Sequence, residues 1–75
     1  MTHPLGAIDD TALDHARRLL RGFGAHLKDV RQERSLSLRD LAEIVNVPHQ
    51  YLGQIESGTR IPTEHEAVVL REWLA

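Results

Sequence analysis

Five histidines, His3, His15, His26, His49 and His65, are the side chains of this chain best suited to hold a metal or move a proton. Their spacing argues against both roles. No H-E-x-x-H motif and no i, i+4 pair puts two of them on one helical face, and the sequence has no cysteine to assist. Scattered surface histidines explain the pattern, so neither a metal nor a cofactor is expected. Catalysis has no better support: there is no glycine-rich phosphate loop and no nucleophile elbow, and seventy-five residues leave little room for a pocket. The chain is not expected to be an enzyme. What remains is hydrogen-bonding capacity. His49, Gln50 and Gln54 sit in one short stretch whose only firmly apolar members are Leu52 and Ile55, the signature of a helix with a narrow buried stripe and a wide polar face.

The elements that must hold this stretch can be read on either side of it. Ser37 is an N-cap candidate with Asp40 three positions on, and Leu38, Leu41, Ala42 and Val45 follow at helical spacing, so a helix is predicted over Leu38 to Val45. Asn46 is the residue at which the chain turns, because Asn tolerates the left-handed conformation. Pro48 suits the first position of the next helix, where a missing N–H costs nothing, and that helix is predicted over Pro48 to Ser57 with Gly58 at its C-terminal stop. After the loop Thr59 to Pro62, Thr63 and Glu66 form a T-x-x-E capping box for a last helix over Glu64 to Leu74.

Two helices this short cannot bury a core alone, and the stretch ahead of them supplies the partner. Met1 to Ile8 has no period and is expected to be a mobile arm, leaving residues 9–75 as one domain. Asp9, Asp10 and Thr11 offer an N-cap. From there Ala12, Ala16, Leu19, Leu20, Phe23, Leu27 and Val30 keep helical spacing, while Gly22 and Gly24 interrupt it at about 1 kcal/mol each against alanine. The reading preferred is two helices, Asp10 to Arg21 and Phe23 to Glu33, since one helix of that whole length is long for a small domain.

Composition agrees with an all-α fold of four to five helices: Leu, Ile, Val and Ala form the apolar set and there are only three aromatics. A chain of this size buries only about 60% of its unfolded surface and is marginally stable without a staple or a partner. No apolar run is long enough to span a membrane and no signal peptide is evident, so a cytoplasmic location is expected. The net charge is −2. From His26 to Pro62, Lys28, Arg31, Arg34, Arg39 and Arg60 are matched by Asp29, Glu33, Asp40, Glu43 and Glu56, and the acidic surplus lies in Glu64, Glu66 and Glu72.

The run LKDVRQERSLSLRDLAEIVNVPHQYLGQIESGTRIP resembles the lambda-repressor/Cro-like (XRE-type) helix-turn-helix module. The carrying residues are Arg31, the Leu41-Ala42 pair, Val47 in the turn, the Ile55-Glu56-Ser57-Gly58 run and Pro62, with the helix-turn-helix itself at residues 37–57. The resemblance implies a compact DNA-binding domain whose first helix is Phe23 to Glu33, which makes Asp10 to Arg21 an extra N-terminal helix added before it. It implies double-stranded DNA as partner, with the second helix of the motif in the major groove and a homodimer on an inverted repeat. By the same resemblance His49, Gln50 and Gln54 reach base edges, where a glutamine can pair bidentately with adenine. Phosphate contacts fall to Ser37, Arg39, Tyr51, Thr59 and Arg60. Arg31 and Glu56 are implied to form a structural ion pair. The competing reading of the polar face and of Arg39 and Arg60 is ordinary solvated surface, and that of Tyr51 is packing at the edge of the core.

Three positions depart from the family pattern. Ser35 stands where a glycine is usual, and a left-handed conformation there would be strained. Leu38 replaces a polar glutamine, and Arg39 is expected to take over its contact. Gly53 either lets the backbone approach DNA or another helix closely or is a weak spot in the helix. Relatives often dimerise through a fifth helix; here Val69, Trp73 and Leu74 are the expected dimer interface, unless the extra N-terminal helix covers them. The neutral head and acidic last helix also suit a protein partner, such as a toxin or a polymerase-associated factor, on a scaffold without strong DNA binding.

Overall fold

The computed structural model describes residues 10–75, which form four α-helices and no strand: α1 Asp10–Glu33, α2 Leu38–Val45, α3 His49–Ser57 and α4 Glu64–Leu74. The expected arm Met1 to Ile8 and the N-cap candidate Asp9 lie outside these residues. None of the described helices is long and apolar enough to cross a membrane.

The preferred division of the first segment into two helices is not what is found. α1 runs unbroken for 24 residues. Gly22 meets nothing, so its cost is only the helix-propensity penalty. Gly24 is buried because α1 and α3 touch there: a Cβ would collide with the carbonyl oxygen of Ile55 and lie 2.6 Å from that of Glu56. The glycine that looked like a break is a packing contact. The extra N-terminal helix is therefore an extension of the first helix of the motif, and its residues 11–19 are all exposed.

The core is Leu27, Leu41, Val45, Val47, Leu52, Ile55 and Leu70, with Phe23, Leu38, Ala42, Val69, Trp73 and Leu74 packed around it. Each fully buried aliphatic side chain is worth about 1.5–3 kcal/mol. α1 packs chiefly against α3, and α2 lies against α3 and α4. Trp73, expected to need a cover, is half-buried and has one that the N-terminal extension does not supply: Arg34 lies 4.4 Å over its ring and donates to the Trp73 carbonyl at 3.0 Å. The extension cannot reach, because a straight helix carries it away from the core.

The turns follow local chemistry. α1 ends in a Schellman pattern, Leu36 N–H to Arg31 O at 3.0 Å and Ser35 N–H to Gln32 O at 2.9 Å, which places Ser35 at φ 58. Ser37 caps α2: its Oγ accepts from Asp40 N–H at 3.0 Å, and Asp40 Oδ2 accepts from Ser37 N–H at 2.9 Å. These bonds to Ser37 hold the Asp40 carboxyl below its ordinary pKa. Asn46 takes the left-handed turn at φ 56.

Candidate nucleic-acid interface

α3 begins at His49, one residue later than the sequence suggests, with Pro48 as its N-cap. The carbonyl of Pro48 accepts from Tyr51 and Leu52, so the proline closes the first turn from just outside it. Leu52 and Ile55 point into the core. At ~100° per residue, Gln50 and Gln54 then share the opposite side, and both are exposed. His49 is half-buried and lines a shallow recess with Arg39, Glu43 and Asn46 between α2 and α3. Gly53 does not mark a close approach to another helix, since a Cβ there would make only an ordinary contact with Leu38 at 3.6 Å.

Two devices hold α3 in place. At its C-terminus Gly58, at φ 77, donates to Ile55 O at 3.1 Å and Thr59 N–H donates to Gln54 O at 2.9 Å, again the Schellman pattern. The Ser57 and Thr59 hydroxyls lie 2.9 Å apart and both donate to the Gln54 carbonyl, which ties the Thr59 side chain to the helix end. The second device is Arg31. Its Nε donates to Glu56 Oε2 at 2.7 Å, Nη2 to Oε1 at 3.0 Å, and Nη1 to the Leu36 carbonyl at 2.8 Å. One guanidinium thus joins α1, the α1–α2 link and the last turn of α3. The hydrogen bonds to Glu56 raise its already high pKa further, so the guanidinium stays charged in its nearly closed environment.

Among the residues expected at phosphate, Ser37 and Arg39 are exposed at the start of α2, with the Ser37 hydroxyl already accepting from its own helix. Tyr51 and Arg60 are brought together: the Arg60 guanidinium lies 3.8 Å over the Tyr51 ring. Arg60 Nη2 also donates to Glu66 Oε2 at 3.3 Å, and Arg60 Nε is buried without a hydrogen-bond partner. Burial alone would raise the Glu66 pKa, but the Thr63 N–H and Arg60 outweigh it and the net shift is downward. The T-x-x-E box signals Glu66 in the sequence, but not that its carboxylate also takes Arg60. Of the expected dimer residues, Val69, Trp73 and Leu74 all pack on the core, and Val68 is the exposed apolar residue of α4.

No group of His, Asp or Glu able to hold a metal occurs among the described residues. No curated protein and no solved structure matches the chain. A family model described as helix-turn-helix matches residues 27–72, more than half of the sequence, from the α1 segment bearing Leu27 and Arg31 through most of α4. That match and the packing of α3 on α1 and of α2 on α3 agree: the chain belongs to the XRE/lambda-repressor-like helix-turn-helix family of DNA-binding regulators, which is not an enzyme family.

Proposed function

We propose that the protein is a sequence-specific transcriptional repressor that inserts α3 into the major groove. It would act in the cytoplasm, as a homodimer on an inverted repeat with half-sites about 34–36 Å apart. The observation that carries this reading is the exposed Gln50–Gln54 pair on a short helix clamped by the Arg31–Glu56 ion pair. A glutamine amide offers a donor and an acceptor side by side, matching the major-groove edge of adenine, and each good bidentate contact is worth about 1–3 kcal/mol of discrimination. His49, beside Gln50, is the third base-contacting side chain. Ser37, Arg39, Tyr51, Thr59 and Arg60 border the same face and supply phosphate contacts. Arg60 would first have to leave Glu66, so its contribution forms only on DNA.

Selection from a randomised DNA pool at low salt, followed by titration of the enriched site, tests the reading. An enriched palindrome is expected. Gln50→Ala should relax its sequence preference, whereas Arg60→Ala should weaken all sites alike. With ~6–10 phosphate contacts, affinity should fall ~10³–10⁵-fold between about 50 and 200 mM salt. No enriched sequence, or affinity indifferent to salt, would defeat the proposal.

A second reading is favoured by the net charge of −2 and by the internal neutralisation of Arg60 by Glu66. On that reading the scaffold binds another protein. It predicts no DNA enrichment from a fully folded sample.

A further inference from the structure

From His26 to Pro62 the charges balance, and three arginines of that stretch are held by the protein itself: Arg31 by Glu56, Arg34 by Trp73 and Arg60 by Glu66. The uncompensated positive charge lies elsewhere. Arg17, Arg18 and Arg21 crowd into the α1 extension, where Asp14 is the one acidic residue between positions 11 and 21. All of them precede the segment matched by the family model, residues 27–72.

One of these arginines sits at the end of α3. A Cβ at Gly58 would lie 2.8 Å from Arg21 Cγ and 3.4 Å from Arg21 Cα. The stem of the side chain thus runs across the C-terminal stop of α3. Arg21 as a whole is exposed, so its guanidinium extends past that stop into solvent. Among the described residues no ion pair takes it. Gly58 also links Gln54, the exposed residue assigned to base edges, with Thr59, whose N–H and hydroxyl both donate to the Gln54 carbonyl. This corner therefore joins an exposed glutamine, a threonine whose donors are in use within the fold, and an unpaired guanidinium.

We propose that Arg21 is a phosphate contact, set by the α1 extension against the DNA strand that borders the groove at the C-terminal end of α3. The proposal rests on the groove-binding reading and adds to it a charge from outside the motif. A guanidinium is a planar, permanently charged donor suited to phosphate oxygens. Arg60 must leave Glu66 before it reaches a phosphate, whereas Arg21 has no such bond to give up. A balanced head thereby gains backbone attraction from the same helix that braces α3. The alternative role is local, since a cation beside a helix C-terminus is favoured by the helix dipole. That role acts on stability and not on the counterions that DNA releases, so the two are separable.

The full-length protein is titrated onto the DNA site that the wild type enriches from a random pool, from about 50 to 200 mM salt. Arg21→Met keeps an unbranched stem against Gly58 and removes the charge, and Arg21→Lys keeps both. Arg71→Gln, at an exposed position of α4, is the charge-matched control. Each neutralised phosphate contributes about 0.9 to the slope of log affinity against log salt. The slope of Arg21→Met should be shallower by that amount, so its affinity loss over the range is about 3.5-fold smaller than that of the wild type. It should also bind the enriched site and a scrambled one more weakly by the same factor, while Arg21→Lys and Arg71→Gln keep the wild-type slope. A wild-type slope in Arg21→Met overturns the proposal, and a lowered melting temperature beside it assigns Arg21 to the helix end alone. An equal drop in slope for Arg71→Gln also overturns it, because the effect would then report net charge. A wild type that enriches no sequence removes the groove-binding reading and this proposal with it, whereas an enriched site with an unchanged slope removes this proposal alone.

Discussion

Gly24 of α1 touches the main chain of α3 at Ile55, so closely that a Cβ would collide with the Ile55 carbonyl oxygen. The atom in the way is backbone and cannot swing aside, so the two helices would have to separate. Gly24→Ala is expected to destabilise by ~1–3 kcal/mol, an overpacking cost. Gly22→Ala, two residues away and meeting nothing, is expected to stabilise by about 0.5–1 kcal/mol. Thermal melts of the two variants should move in opposite directions, and a stabilised Gly24→Ala would contradict the contact.

The Arg31 guanidinium is taken up within the fold by the Glu56 carboxylate and the Leu36 carbonyl. Removing either partner leaves the other charge buried, and Arg31→Ala or Glu56→Ala should cost ~3–5 kcal/mol. Urea denaturation measures it. The double variant should lose less than the sum of the two single losses. Unchanged stability with weakened DNA binding would place Arg31 at the DNA instead.

Ser35 sits at φ 58 without the freedom of glycine. The left-handed conformation costs an ordinary residue ~1–2 kcal/mol, so Ser35→Gly should raise stability by about 1 kcal/mol. Asn46, at φ 56, is a residue type that tolerates this region, so Asn46→Gly should gain less. Equal gains at both positions would mean that the asparagine side chain gives no local advantage.

Asp40 and Glu66 both have lowered pKa values, the first from its hydrogen bonds with Ser37 and the second despite burial. A carboxylate with a depressed folded pKa stabilises fully above its unfolded value of about 3.9–4.3 and loses that contribution as pH falls through the folded value. Melting temperature should therefore hold from neutrality down to about pH 5 and drop below about pH 4. Glu66→Gln should have a shallower acid limb and a lower melting temperature at neutral pH. An acid limb identical to wild type would show that Glu66 does not drive the loss.

The features legible in the sequence were those whose partners lie within a few residues. The Ser37–Asp40 and Thr63–Glu66 boxes, the turn at Asn46 and the stop at Gly58 each depend on contacts three to five positions apart, and all four are present. The continuity of α1 was not legible. Whether Gly24 breaks a helix or admits another depends on Ile55, which local spacing does not reveal. Trp73 gave no sign of its cover for the same reason, since Arg34 lies 39 positions away. The polar side of α3 was readable from its narrow apolar stripe, but the engagement of Arg60 with Tyr51 and Glu66 was not.

Sequence alone was enough for the helical class, the caps, the turn and the identity of the helix-turn-helix segment, because hydrophobic period and capping chemistry act over a single turn of chain. Tertiary structure decided that α1 is one helix, that its first half stands clear of the core, and that Arg34 and Arg60 are turned back onto their own protein. Those outcomes depend on which surfaces meet after the chain has folded back on itself, and no short-range pattern carries that information.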